Sequence, residues 1–290
     1  MSDESRIKEK VRERYGEIAT EFIETKGTAS CCPPQRASCC SPQQASCCSP
    51  NQTDVTSFTN AMRLYPAQAL ADLPGSVTDM ALGCGNPTAI AELRPGEVVL
   101  DLGSGGGIDC FLAARQVGPQ GRVIGLDMTP EMIRLARQNA KKMEINNVEF
   151  RYGEMEEMPL PDESVDVIIS NCVINLSPDK DRVFSEAYRV LRPGGRLTVS
   201  DIVTYGPLPE AVRSNLEAWA GCIAGALDES AYLGKIRQAG FTQTEVMERS
   251  VAETEQWFKA DQAQQMAQSL DELRGEIGKI ASIRVTARKP

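Results

Sequence analysis

Residues 98–109 read Val98-Val99-Leu100-Asp101-Leu102-Gly103-Ser104-Gly105-Gly106-Gly107-Ile108-Asp109. The apolar run closed by glycines predicts a buried strand, Val98–Leu102, that turns into a helix over Ile108–Val117. A dinucleotide-binding loop needs glycine at the sixth position of Gly-x-Gly-x-x-Gly, but that position is Ile108. The close helix approach around a pyrophosphate is therefore missing, and NAD is disfavoured. The glycines that remain, Gly103, Gly105 and Gly107, expose bare backbone where a Cβ would fill the space beside a ligand.

Outward from this loop, strands and helices alternate. Strands are expected at Arg122–Leu126, Asn147–Tyr152, Val165–Ser170 and Arg196–Val203. Between them, helices are expected over Pro130–Lys142, capped by Thr129, and over Pro178–Leu191, capped by Ser177 and stopped by Pro193-Gly194-Gly195. Strict alternation implies a doubly wound, mostly parallel α/β sheet of Rossmann-like type. Beyond Tyr205 the pattern is helical at 210–226 and 229–239, strand at 244–251, helical at 254–278 and strand at 280–287. This reads as a smaller C-terminal α+β domain, 206–290, after a cofactor domain at 55–205.

Residues 1–54 differ in kind. Ile7, Val11, Ile18, Phe22 and Ile23 recur at near-helical spacing and predict an amphipathic helix that docks on the rest of the chain, ended by Gly27. Residues 29–52 then repeat an eight-residue unit three times, each copy carrying an adjacent cysteine pair: Cys31-Cys32, Cys39-Cys40 and Cys47-Cys48. With proline in every copy and no bulky side chain besides cysteine, the tract is expected to be extended. Adjacent pairs do not match zinc spacing, which leaves two to four residues between paired ligands. They suit capture of a soft ion or supply of reducing equivalents; the alternative is that one pair matters and the others are tolerated duplications.

Composition narrows the chemistry. Thirty-one basic against 40 acidic residues give a net charge of -9, which opposes binding to a phosphate backbone, so nucleic acid is not expected as a partner. No apolar stretch is long enough to cross a membrane and no export signal is read at the start, so a cytoplasmic protein is expected. The sequence holds 10 cysteines and no histidine, which excludes an imidazole base, nucleophile or metal ligand and leaves sulfur as the reactive resource.

The expected ligand lies at the carboxyl edge of the sheet. The acid Asp101 and the glycines after it resemble the loop of class I S-adenosylmethionine methyltransferases, which lies against the amino-acid end of the cofactor. Asp127, at the next strand end, can accept from both ribose hydroxyls, with the alternative of capping the following helix. Met128 offers a polarizable wall for adenine. Met155 and Glu156 suit the ring face and its exocyclic amine, and Asn171 ends the fourth strand beside them; the methionines suit a core equally well.

Three cysteines sit where an acceptor would. Cys84 lies in a turn-forming loop before the first strand, Cys172 follows Asn171, and Cys222 stands among small residues in Trp219-Ala-Gly-Cys-Ile-Ala-Gly225. Cys110, inside a helix, reads as a core thiol. Together Gly83-Cys84-Gly-Asn-Pro87, Leu100-Asp-Leu-Gly-Ser-Gly105, Val123-Ile-Gly-Leu-Asp-Met-Thr129 and Ile169-Ser-Asn-Cys-Val-Ile-Asn-Leu176 resemble the arsenite methyltransferases, from the Arg14-Tyr-Gly16 region through Ala226. The resemblance implies S-adenosyl-L-methionine as cofactor and trivalent arsenic as substrate, bound by Cys84, Cys172 and Cys222. It also implies a redox relay by an N-terminal cysteine, here Cys32, with thioredoxin or glutathione as reductant, in the service of arsenic detoxification.

Elementary chemistry agrees with that implication. Soft thiolates select soft acceptors, and trivalent arsenic bonded to three sulfurs keeps a lone pair. A free thiol near neutral pH is mostly protonated, so forming a thiolate costs about 2 kcal/mol. Arsenous acid avoids that cost, because each hydroxide leaves as water with the thiol's proton. Two other functions stay open at this point: a thiol-rich metalloid-binding protein, and a carbon methyltransferase acting on a quinone-like ring.

Overall fold

A computed structural model describes residues 2–27, 61, 63–83, 85–206, 208, 210–216, 219, 221–252 and 279–290. The repeat tract 29–52, the helix expected at 254–278 and Cys84 lie outside the described residues. Among those described, no helix is long and apolar enough to cross a membrane.

The strands are β1 (Val98–Leu102), β2 (Arg122–Asp127), β3 (Val148–Tyr152), β4 (Val165–Asn171), β5 (Leu191–Tyr205), β6 (Leu227–Asp228), β7 (Thr242–Ala252) and β8 (Lys279–Arg288). The longer helices are α1 (Asp3–Gly27), α2 (Ile108–Val117), α3 (Pro130–Lys142), α4 (Lys180–Val190) and α5 (Glu229–Gln238). They build one eight-stranded sheet in the order β3-β2-β1-β4-β5-β8-β7, with β6 beside β5. Strands β1 to β5 pair parallel; β8 runs antiparallel to β5 from Arg196↔Arg288 to Tyr205↔Lys279, and β7 antiparallel to β8. The strands after Tyr205 thus extend the first sheet rather than form one of their own. That pairing also explains why β5 runs on to Tyr205, past the expected end at Val203.

Alternation along each strand feeds a core on both faces. Leu100, Leu102, Ile124, Leu126 and Ile168 pack with Phe184 and Tyr232, whereas Val99, Val123, Val167 and Ile169 pack with Phe111 and Phe150. A sheet covered on both faces needs such nearly continuous apolar strands. Strand order reverses at β1, with β2 on one side and β4 on the other. A crevice therefore opens at the carboxyl ends of β1 and β4, where open α/β sheets bind ligands.

Two helix caps differ from expectation. Helix α4 begins at Lys180 with Asp179 as its cap, whose carboxylate accepts from the Arg182 amide at 3.0 Å. Ser177 lies before the helix, where its hydroxyl donates to Glu156 Oε1 at 2.7 Å and accepts from the Asp179 amide at 3.1 Å. Thr129 stands at the start of α3 but makes no side-chain cap bond.

Helix α1 docks on the expected face. Ile7 and Val11 pack with Leu176 and Ile202, and one to three turns on, Tyr15, Ala19 and Phe22 pack with Met80, Met132 and Leu135. Its Lys8 ammonium lies 2.6 Å from Glu154 and 3.1 Å from Glu156, and Arg12 also pairs with Glu154. The helix is thereby fastened across the crevice to the loop that follows β3.

Candidate active site

The crevice is a cavity of about 910 Å³ of empty space, its open mouth included. Its floor is the glycine loop after β1. Gly103 and Gly105 line it, both with positive φ (67° and 49°). A Cβ on Gly105 would meet nothing within 4 Å, so that backbone faces open space; a Cβ on Gly103 would lie 2.2 Å from Val173 Cγ2. Gly107 serves the helix instead: it precedes α2 at φ 96°, and a Cβ there would strike the Phe111 ring at 2.8 Å.

Polar groups around the floor are tied to one another. Asp127, at the end of β2, lines the cavity while accepting from the Gly105 amide at 2.9 Å and the Thr129 amide at 2.8 Å. Burial raises its pKa, and these amides work against that rise. Asn171, at the end of β4, donates to Gly85 O at 2.8 Å, Asp109 Oδ2 at 3.1 Å and the Tyr65 hydroxyl at 3.0 Å. Tyr65 in turn donates to both Asp109 oxygens. Burial pushes the Asp109 carboxyl up to about 6, against the donors Asn171 and Tyr65. Met128 and Met155 line the walls, and Met155 also belongs to the core.

Two expected cofactor residues are engaged elsewhere. Asp101 is buried beneath the loop, where it accepts from the Cys110 thiol at 3.2 Å. Glu156 turns to Ser177 and Lys8 and is not a lining residue. Conversely, Val11 and Tyr15 of α1, together with Tyr65, Met80 and Asp109, line the cavity without having been singled out. The Arg14-Tyr15-Gly16 string and the second aspartate of the glycine loop were the available signals.

The sulfur side adjoins this cavity. Cys172 lines it, and the Cys222 thiol donates to the Cys172 carbonyl at 2.8 Å. Both cysteines are buried and both hold positive φ, 60° and 65°. Non-glycine residues pay conformational energy there, and such strain concentrates at ligand clamps and active sites. Gly83 and Gly85, which flank Cys84, press on the same place: a Cβ on Gly83 would lie 2.4 Å from Asn171, and one on Gly85 would lie 2.6 Å from Ser200. Cys172 is disulfide-bonded, whereas Cys110 and Cys222 are free. Among the described residues no cluster of three metal-ligating side chains occurs.

Behind Cys222 lies a buried charged group. The Lys180 ammonium donates to Ser177 O at 2.8 Å and sits 5.4 Å from the Trp219 ring centroid; burial pushes it down to about 8. Asp201, bonded by the Ile202 amide and the Tyr232 hydroxyl, is pushed up to about 7 by burial. Burial, then the Asp201 charge, push the Cys222 thiol up to about 12. It therefore stays protonated at neutral pH. Gly225 permits the close packing of this turn, because a Cβ there would lie 2.0 Å from Asn175 O and 2.6 Å from the Trp219 ring.

Residues 93–268 match the family described as Methyltransferase domain. An arsenite methyltransferase of Halobacterium salinarum is 45% identical over 253 residues, 84% of this chain and 59% of that one. The human arsenite methyltransferase is 40% identical over 169 residues, 55% of this chain and 44% of that one. The chain thus spans about half the length of these curated relatives. The crystal structure of an arsenic(III) S-adenosylmethionine methyltransferase from Chlamydomonas reinhardtii matches with TM-score 0.65 at 39% identity, covering 79% of this chain and 73% of that one. With its glycine-floored cavity and two strained cysteines at the rim, the chain belongs to the methyltransferase domain family and, within it, to the arsenic(III) S-adenosylmethionine methyltransferases.

Proposed function

We propose that this protein transfers a methyl group from S-adenosylmethionine to trivalent arsenic held by Cys84, Cys172 and Cys222. The observation that carries the reading is the Cys222 thiol against the Cys172 backbone, at the rim of a cavity floored by Gly103 and Gly105. The cavity suits the cofactor: Gly105 leaves open space, Asp127 supplies carboxylate lone pairs, and Met128 and Met155 give polarizable walls. When bound, S-adenosylmethionine supplies a methyl group on a positively charged sulfur, an electrophile that needs only an electron pair in line.

The chain's own residues prepare that electron pair. Three thiols condense with arsenous acid, three waters leave, and no net proton is taken up or released. A Cys222 thiol that stays protonated suits this exchange, so Cys222 adds no pH dependence to arsenite affinity between pH 6 and 8. A site holding Cys222 as a thiolate would need an added proton, and its affinity would fall as pH rises. The bound arsenic keeps its lone pair, and the strained turns at Cys172 and Cys222 fix where it points, so positioning supplies much of the rate.

Methylation formally oxidises arsenic by two electrons. A pair of thiols closing to a disulfide returns those electrons and releases two protons, and thioredoxin or glutathione reopens the pair. Cys172 must be reduced before arsenic binds. We assign the N-terminal relay to Cys32 and the biological role to arsenic detoxification. The test combines arsenite, methyl-labelled cofactor and a thiol reductant: label should enter arsenic, and its absence would overturn the assignment.

A further inference from the structure

Helix α1 brings one polar group to the border between the cavity and the sulfur side. The Tyr15 ring lines the cavity and packs with the cluster that contains Met128 and Cys222. Its hydroxyl is hydrogen-bonded to Cys222, donating to the sulfur. The same sulfur donates its proton to the Cys172 carbonyl. The two bonds respond differently to arsenic: condensation removes the thiol proton and ends the bond to the carbonyl, while the Tyr15 hydroxyl can still donate to the arsenic-bound sulfur.

The rest of α1 belongs to the cofactor side. Lys8 and Arg12 are ion-paired to Glu154 after β3, and a Cβ on Gly16 would lie 3.2 Å from Glu131 in the first turn of α3. One helix is thus fastened to the walls of the cofactor cavity and bonded through Tyr15 to a proposed arsenic ligand. A change in how Cys222 is held is passed to the cavity wall by a single side chain.

Building on the arsenic reading, we infer that Tyr15 is a positioning residue that couples the two ligands. Through its hydroxyl it holds Cys222, through its ring it shapes the cofactor cavity, and arsenic at the thiols thereby tightens adenosyl binding, and the reverse. Linkage requires the two effects to be equal, and couplings of this kind are typically about 5- to 150-fold.

The experiment uses the full reduced chain and S-adenosylhomocysteine, which cannot transfer a methyl group. Its affinity is measured by calorimetry with and without saturating arsenite, and arsenic–thiolate absorption in the ultraviolet reports arsenite binding independently. Wild type should bind S-adenosylhomocysteine at least about fivefold more tightly with arsenite present. In Tyr15→Phe, which keeps the ring and removes only the hydroxyl, the tightening should fall below about twofold. A merely structural role would weaken both single-ligand affinities and lower the unfolding temperature with the coupling intact, which overturns the inference. Wild type that binds arsenite without tightening S-adenosylhomocysteine overturns it too, leaving the arsenic reading in place. Reduced wild type that binds no arsenite at all overturns both.

Discussion

The two sides of the cavity are made of different materials. On the cofactor side, glycine backbone and a closed set of hydrogen bonds (Asn171, Tyr65 and Asp109, with Asp127 on the Gly105 amide) hold a polar floor in one shape. On the sulfur side, Cys172 and Cys222 stand on strained backbone among apolar neighbours. A hydrogen-bonded floor keeps its geometry whether or not a ligand is present, whereas thiols change geometry and charge with redox state. On the proposed function, the first side recognises and the second reacts.

Substitutions can undo that division of labour, beginning with the largest effect. Cys222→Ser should lower methyl transfer to arsenic at least about 100-fold, because a hard hydroxyl replaces a soft ligand. It should leave S-adenosylhomocysteine affinity within about threefold, as measured by calorimetry. Loss of both together would show that the sides are not separable.

Gly103→Ala probes the opposite side. Its Cβ would meet Val173 at 2.2 Å from a backbone at φ 67°, a combination of overpacking and strain worth about 2 kcal/mol. Cofactor affinity should fall about tenfold or more, while arsenite still binds the reduced thiols, read by their ultraviolet absorption. Unchanged cofactor affinity would remove Gly103 from the floor.

Asp109→Asn tests the polar floor through a smaller effect. The native carboxyl titrates near 6 rather than 3.8, so between those values the folded protein keeps a proton that the unfolded chain has lost. Stability must then fall as pH rises from about 4 to about 6. The substituted amide cannot titrate, and its neutrality also relieves Asp101, which burial and the Asp109 charge both push up. Unfolding temperature against pH should therefore decline less steeply in the variant; an equal decline would place the cost elsewhere.

The cofactor side was the more legible in the sequence because its parts are local. The strand, the glycines and Asp127 at the next strand end follow from short-range rules, and each is found at or within a residue of the expected place. Other features depend on partners far along the chain. Nothing near Ser177 signals that its hydroxyl bonds Glu156, which does not line the cavity, or that the cap falls to Asp179. The antiparallel addition of β8 to β5 is likewise a tertiary choice, since strand patterning does not say which sheet a strand joins. Tyr15 illustrates the same limit: its helix was readable as amphipathic, but its bond to Cys222 exists only in the folded chain.

Whether three sulfurs from distant segments meet on one arsenic is decided by arsenic X-ray absorption on the reduced protein with one equivalent of arsenite. The six cysteines at 31, 32, 39, 40, 47 and 48 are replaced by serine for this purpose, so that only the proposed site competes for the ion. The expected first shell holds three sulfurs and loses one in each of Cys84→Ser, Cys172→Ser and Cys222→Ser. A shell that retains oxygen, or that is unchanged by Cys222→Ser, would rule the three-sulfur site out.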